Sequence, residues 1–144
     1  MEIDDLFIPE NLYYTEEHEW VLIEDNGQVK VGITDYAQQK LHEIVFVDLP
    51  SKDDNVKQGD SIGTAESVKA VSEIFCPISG QVLKGNNELI LNPELVNQDP
   101  YGKGWIVIIK PKNFESERIK LMTQEEYKEY VEKILRKNIE KSKL

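Results

Sequence analysis

Short apolar runs, each broken after a few residues by Gly, Asn or Pro, constrain this chain most. Trp20 to Ile23, Gln28 to Ile33, Ile44 to Leu49, Ser61 to Ala65, Ala70 to Phe75, Gln81 to Lys84 and Trp105 to Lys110 are too short to stand as helices. Val29, Val31 and Ile33 alternate with polar positions, which is the period of a half-buried strand. Asp25-Asn26-Gly27 separates the first two runs. An Asn-Gly pair accepts the positive φ angles of a tight hairpin turn. Many short strands at regular spacing predict a mainly β fold, a sandwich or flattened barrel.

Helices are appended to that pattern. Thr34 is placed to cap a short helix over Asp35 to Leu41. Asn92-Pro93-Glu94-Leu95-Val96 reads as one helical turn with Pro at its first position. After Met122 the period changes. Tyr127, Tyr130, Val131, Ile134, Leu135 and Ile139 recur at helical spacing, and Thr123 with Glu126 forms a capping box. The helix, residues 124–142, would be about 28 Å long, with solvated, frayed last turns. The chain divides into an irregular arm (1–11), a β domain (12–122) and a C-terminal helical segment (123–144) packed on that domain. A faint echo, Asn26-Gly27-Gln28-Val29 against Ser79-Gly80-Gln81-Val82, suits two similar halves.

Charge narrows the function. The 144 residues carry 27 Asp+Glu against 17 Lys+Arg, a net charge of −10. Residues 1–26 hold nine acids and no Lys or Arg. Phosphate backbones and anionic membranes both require a cationic face. Nucleic acid and membrane surfaces are therefore excluded as expected partners. No apolar run nears a membrane span, and the acidic start is unlike a secretory signal. A single cysteine fits a reducing compartment, so the expected location is cytoplasmic.

Few residues offer chemistry. Cys76, between Ile74-Phe75 and Pro77-Ile78, reads as a buried structural thiol rather than a nucleophile. His18, within Glu16-Glu17-His18-Glu19, reads as part of a solvated acidic edge, because consecutive strand residues alternate faces. His42 reads as a surface or capping residue, and no Cys/His spacing marks a metal site. No catalytic residue is expected. Lys69 stands out. It lies in Glu66-Ser67-Val68-Lys69, a segment between two β runs that is short enough only for a tight turn. A lysine at a hairpin tip is open to a modifying enzyme and to partners that approach from several sides.

Glu66-Ser67-Val68-Lys69-Ala70, followed by Pro77-Ile78-Ser79-Gly80, resembles the lipoyl-attachment segment of the glycine cleavage system H protein family. Tyr14-Thr15 with His18-Glu19-Trp20-Val21 resembles that family's opening strand. Gly32 to Gln38, Ile44 to Pro50, Pro93 to Asn97 and Asp99 to Trp105 resemble further blocks, in order, over residues 12–131. The resemblance implies a lipoyl-type β sandwich of quasi-two-fold halves with a C-terminal helix. It implies lipoate joined by an amide to Lys69, with Glu66, Ser67, Val68 and Ala70 as the attachment turn. The implied role is a non-catalytic carrier of glycine catabolism. It would take an aminomethyl group from glycine decarboxylase to aminomethyltransferase and electrons to dihydrolipoamide dehydrogenase. Lipoyl-attaching enzymes complete the implied partner set, and the implied state is a monomer. Glu19, Glu73 and Tyr36 fall at positions of the family's arm cleft, Tyr36 where many members have His. Leu41-His42-Glu43 departs from the usual Leu-Gly-Asp/Glu. H-like carriers of other pathways, including sulfur oxidation with heterodisulfide-reductase-like proteins or lipoyl relay, are the alternative.

Overall fold

The computed structural model describes residues 5–142. In chain order its elements are β1 (Tyr13–Tyr14), β2 (Glu19–Ile23), β3 (Val29–Ile33), α1 (Asp35–Leu41), β4 (Ile44–Asp48) and β5 (Asn55–Val56). There follow β6 (Ser61–Ser67), β7 (Val71–Phe75), β8 (Gly80–Gly85), α2 (Glu88–Leu91), α3 (Leu95–Gln98) and β9 (Val107–Pro111). The chain ends with α4 (Phe114–Glu117), a 3-10 turn (Arg118–Lys120) and α5 (Gln124–Ser142). A six-stranded sheet, ordered β1-β2-β3-β9-β8-β5, accompanies a three-stranded sheet, β4-β6-β7, and the strands of both pair antiparallel. The fold is mainly β, with short helices and a long C-terminal one.

Alternation explains the core. Val21, Val29, Val31 and Ile109 from the larger sheet are buried with Val47, Ala65 and Ile74 from the smaller one. Each buried Val or Ile side chain is worth about 1.5–3 kcal/mol. The β2–β3 turn forms where Asn-Gly predicts it. Gly27 has φ +84, and the Asn26 side chain accepts from the Gln28 N–H at 2.9 Å. The 53-residue echo has a structural counterpart, because Val29 of β3 and Val82 of β8 both pair with Ile109 of β9. The two glycines differ in purpose. Gly80 is the first residue of β8, where an added Cβ would lie 2.1 Å from the Lys110 carbonyl oxygen.

A second apolar cluster holds α5 to the body. Tyr127 and Val131 are fully buried against Tyr14, Trp20 and Tyr36. The Tyr14 and Tyr127 rings stack at 4.6 Å. The capping box is formed, with the Thr123 N–H bonding Glu126 Oε1 at 2.9 Å and the Glu126 N–H bonding Thr123 Oγ1 at 3.3 Å. Beyond Leu135 the helix is regular and mostly exposed to Ser142. Residues 1–4 of the expected arm lie outside them. From Phe7 the arm is irregular but docked. The Phe7 N–H bonds Asp35 Oδ2 at 2.9 Å, and Gln124 donates to the Ile8 carbonyl at 2.7 Å. The Pro93 turn is formed, with the Leu95 N–H donating to the Asn92 carbonyl at 3.2 Å and the Val96 N–H to the Pro93 carbonyl at 3.1 Å, and it leads into α3 at Leu95.

Candidate functional site

The Lys69 turn is tighter than the sequence spacing requires. β6 runs through Ser67 and β7 starts at Val71, which leaves only Val68, Lys69 and Ala70 outside the strands. Ser67 governs the turn. Its N–H donates to the Ala70 carbonyl at 2.8 Å. Its buried Oγ accepts from the N–H groups of Lys69 at 3.1 Å and Ala70 at 2.9 Å. A short side-chain hydroxyl that satisfies turn amides is the mechanism of an ST turn. The Val68 N–H donates to the Glu43 carbonyl at 3.1 Å, so the segment after α1 braces the tip. The backbone is thus held on three sides while Lys69 itself is exposed. His42, one residue before that brace, closes α1 at φ +66 and is exposed.

Glu66 lies within β6, between Phe46 of β4 and Val71 of β7. Val71, Glu73 and Phe75 share the outward face of β7, since Ile74 between them is buried. At the far end of this face stands Glu19. It is 1% exposed. Its Oε1 accepts from the Thr15 hydroxyl at 2.6 Å and its Oε2 from the Phe75 N–H at 3.2 Å. Burial pushes the Glu19 carboxyl up to about 7, against the pull of these donors. Glu19 lines a shallow cavity of about 280 Å³ with Thr15, Glu17, Phe75, Cys76 and Lys120 among its walls. Neither Glu73 nor Tyr36 lines that cavity. A larger concavity of about 700 Å³, along the β8 and β9 ends near Gln81 and Lys110, contains none of the expected site residues.

The reading of His18 as part of a solvated edge is corrected. Residues 15–18 form a turn rather than a strand, and His18 has φ +71. That turn rolls the imidazole under α5. Its Nδ1 lies 2.9 Å from the Tyr127 hydroxyl, and its ring is 4.5 Å from that of Tyr36. The Tyr127 hydroxyl also bonds Thr34 Oγ1 at 2.8 Å. Burial, with Lys40 nearby, pulls His18 down to about 4, so it is neutral at pH 7. Tyr36 is buried, and its phenol is pushed above the ordinary range for the same reason. Cys76 is buried, with Sγ 2.8 Å from the Ile78 carbonyl oxygen, and burial pushes its thiol up to about 12. It is not a nucleophile at neutral pH.

The sequence singled out Lys69, Ser67 and Glu19 but not Thr15, Glu17 or Phe75. Phase along β7 was the available signal for Phe75, two residues beyond Glu73. Thr15 and Glu17 enter through a turn that no periodicity announces.

Paired antiparallel sheets, a braced hairpin with an exposed lysine and a clamped C-terminal helix define the class, a small β domain of the lipoyl-domain fold. The family described as glycine cleavage H-protein matches residues 12–134. A probable glycine cleavage system H protein of Pyrococcus horikoshii is 48% identical over 131 residues, 91% of this chain and 97% of its own. The glycine cleavage system H protein of Halothermothrix orenii is 49% identical over 127 residues, 88% of this chain and 98% of its own. A crystal structure of a glycine cleavage system H protein from Mycobacterium marinum matches with TM-score 0.75 and 37% identity, covering 83% of this chain and 95% of that one. The chain belongs to the glycine cleavage H-protein family. Among the described residues no helix is long and apolar enough to cross a membrane.

Proposed function

We propose that this chain is the lipoyl carrier of a glycine cleavage system, with lipoate in amide linkage to Lys69. The observation that carries this reading is the hairpin itself. It exposes one amine while Ser67 and the Glu43 carbonyl fix the backbone beneath it. The residues present fit the group. An exposed Nζ can attack an activated lipoyl carboxyl, forming the amide as the activating group and an amine proton depart. When bound, lipoate supplies a disulfide that takes up a one-carbon amino fragment and two electrons.

The protein then positions the arm. The outward face of β7 leads from the Lys69 turn past Val71, Glu73 and Phe75 to the Glu19 cavity, with about 14 Å between Val71 and Phe75 at 3.4 Å per residue. A primary ammonium group that reached this cavity would meet the Glu19 and Glu17 carboxylates at a site partly shielded from water, where opposite charges attract strongly. Glu73 would be the carboxylate along the way. Tyr36 would act indirectly, by packing on His18 next to Glu19. Glycine decarboxylase, aminomethyltransferase, dihydrolipoamide dehydrogenase and a lipoyl-attaching enzyme are the partners of this role, and the chain performs no catalysis of its own.

Intact mass spectrometry after co-expression with a lipoyl ligase tests the attachment. Wild type should gain one lipoyl group and Lys69→Arg none. The loaded wild type should then support bicarbonate exchange into glycine with glycine decarboxylase, and Lys69→Arg should not. Lipoylation without exchange would assign the chain to another lipoyl-dependent pathway. No lipoylation at all would overturn the reading.

A further inference from the structure

The β4-β6-β7 sheet turns an apolar face to water beside Lys69. Phe46, Glu66 and Val71 form one cross-strand row on that face. Phe46 is 50% exposed and Val71 62%, while Val68, next to Lys69 in the turn, is 68% exposed. The pairing shift between Ile44 and Phe46 also brings Val45 out, so both residues at this point of β4 are exposed. The solvent face of an antiparallel sheet is ordinarily polar. A large aromatic and three valines gathered around one exposed lysine therefore need a reason.

Charge on the same face is one-sided. The next row along the strands is Asp48, Thr64 and Glu73, with both carboxylates exposed. With Glu66 in the first row and Glu43 at the brace, four carboxylates surround the patch. The ion pairs found among the described residues, Arg118–Glu115 and Arg136–Glu132, involve none of them. Lys69 is the cation in the midst of this group, and acylation of Nζ removes its charge.

Geometry couples the patch to the arm. Val71 is two residues from Lys69, about 7 Å, and Phe46 lies two strand spacings across the sheet, about 10 Å further. A protein that receives a side chain carried on Lys69 must cover this ground.

We infer that the outer face of the β4-β6-β7 sheet, centred on Phe46 and Val71, is the docking surface for the decarboxylase of this role, which places the one-carbon amino fragment on the lipoyl arm of Lys69. That enzyme would present an apolar lip ringed by Lys and Arg around its active-site mouth. The inference rests on the proposed carrier function. The apolar centre supplies contact, and the carboxylate border steers approach and fixes orientation.

The test uses fully lipoylated chain, verified by intact mass, with glycine decarboxylase in the bicarbonate-exchange assay. Phe46→Thr, Val71→Thr and their double variant keep β-forming side chains, and circular dichroism melts confirm folding. The double variant should raise KM for the carrier about tenfold with kcat within about twofold. Each single variant should show part of the rise, which preserves the test should the double variant unfold. Glu66→Gln with Glu73→Gln should raise KM about threefold at low salt and flatten its salt dependence. Leu91→Thr, at an apolar residue on α2 that is more exposed still, should change neither constant. Unchanged KM in the folded, lipoylated Phe46 and Val71 variants would overturn the docking surface and leave the carrier function standing. A lipoylated wild type without exchange activity would overturn both.

Discussion

Replacing Glu19 with Gln isolates the cost of keeping a carboxyl group out of water at the β1–β2 turn. Burial raises this acid from 4.5 to about 7 in the folded chain. Between those values the folded chain retains a proton that the unfolded chain has released. Folding therefore takes up protons in this window, and stability falls as pH rises through it. A span of 2.5 pH units at 1.36 kcal/mol each makes the loss about 3 kcal/mol, complete by about pH 8. Gln keeps the shape, can accept from the Phe75 N–H with its one oxygen and donate from its NH2 group to Thr15 Oγ1, and does not titrate. Urea unfolding from about pH 4 to about pH 8 reads the effect. The stability of Glu19→Gln relative to wild type should grow by about 3 kcal/mol across that range. His18 supplies the internal control. Burial lowers its pKa from 6.5 to about 4, so here the unfolded chain holds the extra proton. This contribution is full above about pH 6.5 and is lost as pH falls toward 4, again by about 3 kcal/mol. In wild type the two slopes oppose each other between about pH 4.5 and 6.5. Glu19→Gln should uncover the rising slope of His18, and His18→Asn, which tolerates the positive φ, should uncover the falling one of Glu19. A stability difference that stays constant with pH would show that Glu19 is solvated, and would refute this account of the cavity.

Three further outcomes follow from the geometry around the hairpin and core. Cys76 should resist thiol reagents at neutral pH in the native chain and react fully in urea, because its thiol is buried and pushed up to about 12; native-state labelling would contradict this. His42→Gly should stabilise the chain by about 1 kcal/mol, read as a raised urea midpoint, because His42 sits at φ +66 with its side chain exposed. Ser67→Ala should cost about 1 kcal/mol and speed amide hydrogen exchange at Lys69 and Ala70, whose N–H groups lose their acceptor; unaltered exchange would show that the turn does not depend on this hydroxyl.

Residues whose roles are local were legible in the sequence. Asn26-Gly27 marked its hairpin, Thr34 and Thr123 marked helix starts, and alternation marked β3. The Lys69 tip was legible because two β runs stand a few residues apart. Elements without a full period escaped. β1 and β5 are two residues each, and α2 and α4 four each, so neither alternation nor a helical stripe can develop. Gly27 and Gly80 looked alike in sequence, yet one serves a positive φ and the other a close approach of β9 that only tertiary pairing creates. His18 misled for a similar reason. Three acidic neighbours signal solvent, but the turn at residues 15–18 places the imidazole under an aromatic roof supplied from residue 127. His42 was visible as a departure from the family's Gly, and its positive φ supplies the physical reason for Gly at that place.

Strand register ties these observations together. Lys69 and the Glu19 cavity lie at opposite ends of β7, so the pairing of β7 with β6 fixes what lies between them. Val71, Glu73 and Phe75 face outward only because Ser72 and Ile74 face inward. A slip of one residue would exchange the two sets. It would expose Ile74, now 1% exposed, and drive the Glu73 carboxylate into an apolar core. Burying an unpaired carboxylate is far more costly than burying an isoleucine is favourable. Glu73 therefore enforces the register in addition to any contact it makes with an arm. The same logic holds for Glu66, flanked by Phe46 and Val71 on the solvent side. Acidity on this face thus acts twice. It forbids the inverted register during folding, and in the folded chain it leaves a carboxylate border around the apolar patch beside Lys69.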